Sequence, residues 1–287
     1  KEENADEDTM EELSALVETA GGETVGIVLQ NRPSPDPRTF IGEGKVAEVQ
    51  LYCENTGATM VIFDNDLSPS QMRVLTDEFG VQVLDRSGLI LDIFAQHAVT
   101  RAGKLQVELA QLRYTQPRLT GKNRAMDRLM GGIGGRGPGE TKLETDRRRS
   151  RERMARLRKE LDQLRRQRAF TRSRRARRGI PMAALVGYTN AGKSTLLNNL
   201  TRSEVLAENK LFATLDPTTR RLRFPAEREI ILADTVGFIR NLPKELMDAF
   251  RATLEELESA DLLVHVADAS HPDLLQQITS VETILEE

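Results

Sequence analysis

The sequence predicts an α/β protein in which two α/β domains flank a helical hairpin. Three observations lead to this prediction. Between residues 24 and 98, short apolar runs alternate with amphipathic stretches, which is typical of a small domain with a parallel sheet. Residues 101–178 are strongly basic and have apolar residues at heptad spacing. After residue 180, a strand-like run, a glycine-rich loop and a helix-like run follow each other. We therefore predict domains at residues 1–100, 101–178 and 179–287.

The composition excludes several classes of protein. The chain has 287 residues and a single cysteine, Cys53, so a disulfide framework is excluded and a reducing compartment is expected. No apolar run reaches the roughly 18 residues of a membrane helix. The acidic N-terminus has no apolar core and is no signal peptide. The chain starts without Met, so we expect a trimmed chain, from a cytoplasmic protein that is a monomer and has no membrane span.

The first domain should contain three strands alternating with helices. The strand-like runs are TVGIVLQ (24–30), ATMVIFD (58–64) and VQVLD (81–85). The helical runs are 45–57, with apolar spacing at Val46, Val49, Leu51 and Cys53, 68–80, which opens with Ser68 and closes with Gly80, and 87–98. A capping serine and a terminal glycine are common helix boundaries.

The basic segment predicts an antiparallel hairpin that binds an anionic partner. It has 25 Lys and Arg against 8 Asp and Glu, whereas the whole chain has a net charge of −3. Such a block usually binds nucleic acid; the alternative is a solvated helix that compensates its own charges. The heptad positions are Leu105, Leu109 and Leu112 in the first helix, and Met154, Leu157, Leu161 and Leu164 in the second. These apolar stripes are narrow, so the hairpin should project from the domains.

The connector of the hairpin contains GGIGGRGPGE (131–140), in which Gly132, Gly134 and Gly137 match the dinucleotide fingerprint G-x-G-x-x-G. That fingerprint works only between a buried strand and the start of a helix. Here a charged run precedes the glycines, and no second strand follows within 30 residues. We therefore reject a dinucleotide site.

A phosphate-binding loop follows in the third domain. Residues 187–194, GYTNAGKS, fit G-x-x-x-x-G-K-S between the strand MAALV (182–186) and the helix STLLNNL. The loop amides and the helix N-terminus suit phosphate oxygens. Lys193 can reach the β- and γ-phosphates, and the Ser194 hydroxyl can ligate Mg²⁺.

A second nucleotide motif lies 41 residues after Lys193, where the strand EIILAD leads into D-x-x-G at Asp234, Thr235, Val236 and Gly237. Asp234 would hold Mg²⁺ through water, and the Gly237 amide would sense the γ-phosphate. The intervening LFATLDPTTRRLRF (211–224) can act as a switch if one threonine completes the metal shell. The residues alone leave Thr214, Thr218 and Thr219 as candidates.

Together these motifs resemble the HflX family of ribosome-associated GTPases. GYTNAGKSTLLNNL, LFATLDPTTR and ADTVGFI look like that family's nucleotide motifs, GGIGGRGPGETKLETDRR like its linker signature, and FIGEGKVAEV (40–49) like part of its N-terminal domain. The resemblance covers nearly the whole chain. It implies a GTPase that docks on the large ribosomal subunit and its rRNA, and that splits stalled ribosomes or acts in large-subunit quality control.

The resemblance also assigns residues. It makes Thr214 the Mg²⁺ ligand of the first switch and places the glycine-rich tip at the peptidyl-transferase region. The implied GTP-binding residues are Gly187, Tyr188, Thr189, Asn190, Ala191, Gly192, Lys193, Ser194, Thr195, Phe212, Ala213, Thr214, Leu215, Asp216, Asp234, Thr235, Val236 and Gly237. The implied ribosome contacts are Gly131, Gly132, Gly134, Gly135, Arg136, Gly137, Arg147, Arg148 and Arg149.

The catalytic group is not assigned. Phe238 stands where Ras-like enzymes have a glutamine that orients water, so we expect slow intrinsic hydrolysis and stimulation by a partner. Asn190 lies where related GTPases coordinate K⁺, and it is a candidate potassium ligand. The guanine-reading N-K-x-D motif does not occur before Glu287, so guanine specificity follows from the resemblance and the domain is expected to be incomplete.

Two other functions fit parts of the pattern. An RNA-binding remodelling protein could use nucleotide only to gate binding, with incidental turnover. A P-loop kinase is disfavoured by D-x-x-G after a strand and by the lack of a lid-like arginine cluster after the loop.

Overall fold

The computed structural model describes residues 3–119, 138–176, 179–201, 211–212, 218–224, 228–240, 242, 257 and 260–286. The chain folds into two compact units. One comprises Lys1–Asp92 with Gln111–Met154, and the other Ile93–Ala110 with Ala155–Glu287. Each unit has its own β-sheet, so the α/β fold class is confirmed. In the described parts of the chain, no helix is both long and apolar enough to cross a bilayer.

The first unit begins with alternating helices and short strands. They are α1 (Glu3–Thr19), α2 (Glu43–Thr56), β1 (Met60–Phe63), α3 (Pro69–Phe79), β2 (Gln82–Asp85) and the start of α4 (Arg86–His97). Helix α4 continues into the second unit from Ile93. Strands β1 and β2 pair in parallel, with Met60 opposite Gln82. The carboxyl ends of both strands therefore lie at the same edge of this sheet.

Helix α3 begins and ends where its sequence predicts. The Ser68 side chain accepts a hydrogen bond from the Gln71 amide at 3.2 Å, and the Gln71 side chain accepts from the Ser68 amide at 3.0 Å. Pro69 occupies the first turn, and Gly80 closes the last turn in a left-handed conformation. This reciprocal capping box satisfies amides that the helix cannot pair internally.

One hydrophobic core cluster of the first unit lies between α2, α3 and β2. Its buried members are Val46, Val49, Cys53, Leu67, Leu75, Phe79 and Val83. Leu51, predicted on the same helical face, is instead 58% exposed. Two residues apart on a helix point to opposite sides, so Leu51 faces away when Val49 and Cys53 are buried.

The predicted strand at 24–30 is wrong, because among the described residues this segment joins neither sheet. The Tyr52 hydroxyl donates to the Val25 carbonyl at 3.1 Å, and the Gln30 side chain accepts from the Gly42 amide at 2.9 Å. The alternating apolar residues Val25, Ile27 and Leu29 are about half exposed. Alternating apolar residues form a strand only where a neighbouring backbone supplies hydrogen-bond partners. Here side chains hold the segment instead.

A buried carboxylate organises the end of β2. Asp85 is fully buried and accepts hydrogen bonds from the amides of Leu67 and Gly88, from the Tyr114 hydroxyl at 2.7 Å and from Arg118 at 3.0 Å. Burial raises the pKa of Tyr114, and the hydrogen bond to Asp85 adds to the rise. Four donors compensate the cost of burying this charge, so we assign the cluster a structural role.

The two helices predicted from heptad spacing are both present. They are α5 (Arg101–Thr115), followed by the 3₁₀ turn Gln116–Leu119, and α6 (Pro138–Ala176). Arg101 at the start of α5 forms an ion pair with Glu160 of α6, with 3.1 Å between nitrogen and oxygen. Of the predicted apolar positions, Leu105, Leu109, Met154, Leu157 and Leu161 are buried, and Leu112 and Leu164 are half-buried.

The second unit contains a four-stranded sheet. Its elements are β3 (Met182–Val186), α7 (Lys193–Thr201), β4 (Thr218–Phe224), β5 (Arg228–Asp234), β6 (Leu262–His265) and α8 (Leu274–Glu286). The strand order is β4-β5-β3-β6; β3 runs parallel to β5 and β6, and β4 is antiparallel to β5. All five residues of β3 are buried. Because β3 lies between β5 and β6, the loop that follows β3 lies at the middle of one sheet edge.

Candidate functional site

The predicted phosphate loop, residues 187–192, connects the central strand β3 to helix α7. Its first residue packs against the loop that follows β6: a Cβ on Gly187 would lie 2.1 Å from the Val266 carbonyl oxygen. No side chain fits at that distance, which explains why glycine begins the loop. Ala191 donates its amide hydrogen to the Tyr188 carbonyl at 3.3 Å, so the loop turns back on itself just before α7.

Lys193 is buried at the first turn of α7, with 6% of its surface exposed. Its Nζ donates to the carbonyls of Gly187 at 3.1 Å and Tyr188 at 2.6 Å. Burial lowers the pKa of Lys193 to about 8, and the nearby charge of Asp234 opposes this shift. The loop thus holds a poorly solvated cation, which would interact strongly with an anion bound at this loop.

Ser194 and Asp234, predicted from separate motifs, are in direct contact. The Ser194 hydroxyl lies 2.6 Å from Oδ2 of the fully buried Asp234. Strands β3 and β5 are parallel with Leu185 opposite Asp234, so Asp234 emerges beside the phosphate loop. Two hard oxygen donors at this spacing fit Mg²⁺, which typically takes few protein ligands and fills its shell with water and phosphate oxygens.

The segment after Asp234 is docked on the phosphate loop. The Thr189 amide donates to the Phe238 carbonyl at 2.7 Å, and the Phe238 amide donates to the Gly187 carbonyl at 3.1 Å. Thr235 donates its hydroxyl to the Leu185 carbonyl at 2.6 Å. A Cβ on Gly237 would lie 2.4 Å from the Thr189 Cα. The close approach of these two backbones therefore requires glycine in D-x-x-G.

The ring of Phe238 is fully buried. The nearby Val236, also a predicted site residue, is buried as well. Neither side chain carries a polar group, so neither can hold a water molecule. Residues 235–238 therefore offer this site their backbone groups and, among their side chains, the Thr235 hydroxyl.

Sequence reasoning missed a polar chain that fixes the end of this segment. The Arg240 amide donates to the Tyr188 hydroxyl at 2.9 Å. The Arg240 guanidinium lies 2.7 Å from Asp273, just before α8, and both side chains are mostly buried. The sequence places Tyr188 in the phosphate loop, but no local pattern marks Arg240 as the partner of its hydroxyl or Asp273 as the partner of Arg240.

Phe212, the first residue of the predicted switch that the resemblance assigns to the site, is held at two points. Its amide donates to the Thr189 hydroxyl at 2.8 Å, and its ring meets the ring of Phe94 edge to face. Its φ of +58° is unusual for a bulky side chain. Sequence reasoning did not find Phe94, because it lies in the helix that closes the first predicted domain.

The other predicted residues fall into three groups. Asn190, Ala191, Gly192 and Thr195 lie where predicted, in the loop and the first turn of α7, and Asn190 is exposed with φ +60°. Thr218 and Thr219 belong to β4, opposite Asp234 and Ala233. Ala213, Thr214, Leu215 and Asp216 lie outside the described residues, so the choice among the three threonines stays open.

The predicted ribosome contacts divide into two groups. Gly131, Gly132, Gly134, Gly135, Arg136 and Gly137 lie outside the described residues. Arg147, Arg148 and Arg149 lie in α6, where the last two are exposed and Arg147 is half-buried. Arg148 lies 3.9 Å from Glu152, and both side chains are more than half exposed. A solvated pair at this distance adds little stability, so its arginine remains accessible to a stronger anionic partner.

Three family models match the chain in succession. They are described as GTP-binding GTPase N-terminal, over residues 7–95, GTP-binding GTPase Middle Region, over residues 97–175, and 50S ribosome-binding GTPase, over residues 182–287. These ranges run close to the predicted domains, whose boundaries stay a prediction.

Named relatives agree with these models. The GTPase HflX of Alkalihalophilus pseudofirmus is 51% identical over 287 residues, which are 100% of this chain and 68% of the relative. The GTPase HflX of Caldanaerobacter subterraneus is 51% identical over 280 residues, 98% of this chain; the chain spans 65% of that relative's length.

A solved structure is also similar. It is the crystal structure of a GTP-binding protein from the hyperthermophilic archaeon Sulfolobus solfataricus in complex with GDP, which is 29% identical, with a TM-score of 0.51, over 97% of this chain and 74% of that chain. The match therefore extends beyond the nucleotide motifs to nearly the whole chain. Together with half of the residues shared across its full length, it confirms the resemblance: the chain belongs to the HflX family of GTPases.

Proposed function

We propose that this protein binds GTP with Mg²⁺ and hydrolyses it to GDP and phosphate in the cytoplasm, under the control of the large ribosomal subunit. One observation carries the proposal. The Ser194 hydroxyl lies 2.6 Å from the Asp234 carboxylate, beside the buried Lys193. The proposed metal ligand, its partner carboxylate and the proposed phosphate-binding cation thus share the edge where β3 and β5 end.

The chain's own groups would act on the nucleotide in stated ways. Lys193 would exchange its two carbonyl partners for β- and γ-phosphate oxygens, and the loop amides would hold the β-phosphate. Ser194 and Thr214 would ligate Mg²⁺ directly and Asp234 through water. When bound, Mg²⁺ neutralises charge on the β- and γ-phosphate oxygens. The Gly237 amide would meet the γ-phosphate, so this segment would respond to its loss.

Slow turnover without a partner is part of the proposal. Phe238 is fully buried and has no polar group that could orient the attacking water. We propose a K⁺ site at the phosphate loop with Asn190 as its ligand, because the resemblance places this residue where related GTPases coordinate K⁺. Comparing turnover in K⁺ and Na⁺ buffers tests that site: equal rates would remove it, and a faster rate in K⁺ is expected.

The ribosomal partner is inferred from the positive charge of the basic segment. Residues 101–178 contain 25 basic and 8 acidic residues, and Arg148 and Arg149 of α6 are exposed. We propose that these arginines contact rRNA phosphates and that the glycine-rich connector, including Arg136, reaches the peptidyl-transferase region. Splitting of stalled ribosomes or quality control of the large subunit would follow from GTP-dependent docking at that place.

The central experiment measures binding of the complete chain to 50S subunits with GDP, GTP and a non-hydrolysable GTP analogue across a salt series. We expect tighter binding with the triphosphates and a steep loss of affinity with salt, since phosphate contacts release counterions. Equal affinity with GDP and the analogue would refute control by the γ-phosphate.

A matched pair of variants tests the arginines. Arg148→Gln with Arg149→Gln should lower the salt slope by about 2, roughly one unit for each phosphate that an arginine no longer neutralises. Arg73→Gln with Arg220→Gln removes the same charge from exposed positions outside α6 and should leave the slope unchanged. A similar effect of both pairs would mean that only net charge attracts the ribosome.

The second candidate is an RNA-binding remodelling protein in which nucleotide only gates binding. The buried Phe238, which predicts slow hydrolysis, favours it. Turnover with and without 50S subunits separates the two functions. Stimulation by the subunit supports the GTPase cycle, and a rate that ribosomes leave unchanged supports the gating protein.

A further inference from the structure

Phe94 and Phe212 form a buried aromatic contact within the second unit. Phe94 lies near the end of α4, and Phe212 belongs to the predicted first switch. Each ring is 1% exposed, their centroids are 4.8 Å apart, and the planes meet at 88°. This edge-to-face geometry is favourable because the positive ring edge meets the negative ring face.

The contact holds a residue that would not keep its conformation unaided. Phe212 has φ +58°, and bulky residues occupy this region only where their surroundings impose it. The described surroundings impose it from two sides. The Thr189 hydroxyl accepts from the Phe212 amide at 2.8 Å, and Phe94 covers the ring. Removing either partner should allow Phe212 to return to an ordinary conformation.

The position of this contact links it to the nucleotide. Thr189 belongs to the phosphate loop, and Phe212 directly precedes residues 213–216, which include the proposed metal ligand Thr214. The conformation of Phe212 therefore sets the direction in which the backbone enters that segment. Helix α5 begins at Arg101, soon after α4 ends at His97, so Phe94 also belongs to the helical stretch that leads into the basic hairpin.

We propose that Phe94 is a positioning residue of the nucleotide site, acting through Phe212 to set the first switch for the γ-phosphate. The proposal rests on the proposed GTP binding. Phe94 is not among the residues proposed to contact the nucleotide. Because only a triphosphate engages the switch threonine, removal of the Phe94 ring weakens binding of a GTP analogue and spares binding of GDP.

The test is Phe94→Leu in the complete chain, without ribosomes. Leucine keeps most of the apolar volume and removes the ring contact. We expect the affinity for a non-hydrolysable GTP analogue to fall about two- to tenfold, the range that aromatic pairs contribute. The affinity for GDP should stay within about twofold of the parent chain. A purely structural role would lower both affinities together or neither.

Phe79→Leu is the matched control. Phe79 is a buried phenylalanine of the first unit, in the core between α2, α3 and β2. The same substitution there should lower stability and leave the ratio of the two nucleotide affinities unchanged. If Phe94→Leu does not fold, Phe94→Met offers a more adaptable side chain of similar size and is held to the same expectation.

A double-mutant cycle with Phe212→Leu tests the route. If Phe94 acts through Phe212, the analogue affinity of the double variant should fall no further than that of Phe212→Leu. Additive losses, equal losses for GDP and the analogue, or no loss would overturn the proposal. Failure of the parent chain to bind either nucleotide would instead refute the proposed function, so the two outcomes are distinct.

Discussion

Gly237→Ala is the substitution for which the structure makes the sharpest prediction. Its new Cβ would lie 2.4 Å from Thr189 Cα, 2.8 Å from Thr189 Cβ and 2.9 Å from the Thr189 nitrogen. Carbon atoms in contact prefer about 3.5–4.0 Å, so the overlap exceeds what small adjustments relieve. The opposing atoms are backbone or Cβ atoms of the phosphate loop, which no rotamer change moves away.

The chain has two ways to relieve this overlap. It can shift the backbones apart and keep the segment docked, at a cost of about 1–3 kcal/mol for overpacking. Alternatively it can release the segment and lose the two backbone hydrogen bonds of Phe238, each contributing about 0.5–1.5 kcal/mol. Either route costs about 1–3 kcal/mol in all. If hydrolysis needs the docked segment, kcat/KM should fall roughly 5- to 160-fold.

Urea unfolding and single-turnover hydrolysis measure these effects. Gly44→Ala is the control, because a Cβ on Gly44, an exposed glycine of α2, meets nothing within 4 Å. It should be neutral or add up to about 1 kcal/mol of stability, since alanine favours helix. If Gly237→Ala proves as stable and as active as Gly44→Ala, the reasoning about close approach is refuted.

Three further outcomes are expected. Because burial lowers the pKa of Lys193 to about 8, nucleotide affinity should weaken as pH rises through 8. Binding should take up more protons per site at pH 9 than at pH 7; calorimetry in buffers of different ionisation enthalpy measures this, and equal uptake at both pH values would contradict it. Ser194→Ala, which removes the hydroxyl beside Asp234, should raise the Mg²⁺ concentration for half-maximal turnover about tenfold, and an unchanged Mg²⁺ titration would reject the ligand role. Tyr114→Phe removes a donor to the buried Asp85 and should cost about 1–3 kcal/mol in urea unfolding with nucleotide affinity unchanged; an unaltered unfolding midpoint would show that the other donors suffice.

Local sequence patterns were enough to predict the strand and the helix on either side of the phosphate loop and the strand that leads to Asp234, but not β4, which lies in the segment predicted as a switch loop. The spacing from Gly187 to Ser194 has meaning because a buried strand precedes it and a helix follows, and both signals lie within one short stretch. The capping box at Ser68 and Gln71 is local in the same sense. Asp234 could be placed near Ser194 because their two motifs are both assigned to one Mg²⁺ ion; the structure explains this by the parallel strands β3 and β5, whose carboxyl ends meet at one sheet edge.

The same kind of reasoning failed where a structure depends on what lies next to a segment. The alternation of Val25, Ile27 and Leu29 predicts a strand, yet within the described residues no sheet takes it up. Leu51 satisfies an apolar count but faces away from the core. Periodicity describes the faces of one element and contains no information about the element that covers them.

Residues distant in sequence came together only in the folded chain. Phe94 reads as one more apolar residue of an amphipathic helix, and its contact with Phe212 depends on how that helix packs in the second unit. The same holds for the hydrogen bond from Arg240 to Tyr188 and the ion pair with Asp273. The hydrogen bonds of helices, caps and tight turns repeat at short spacing along the chain, so local sequence patterns predict them. Side-chain partners across a core are selected by the shape and polarity of surfaces that exist only after those helices and strands have packed.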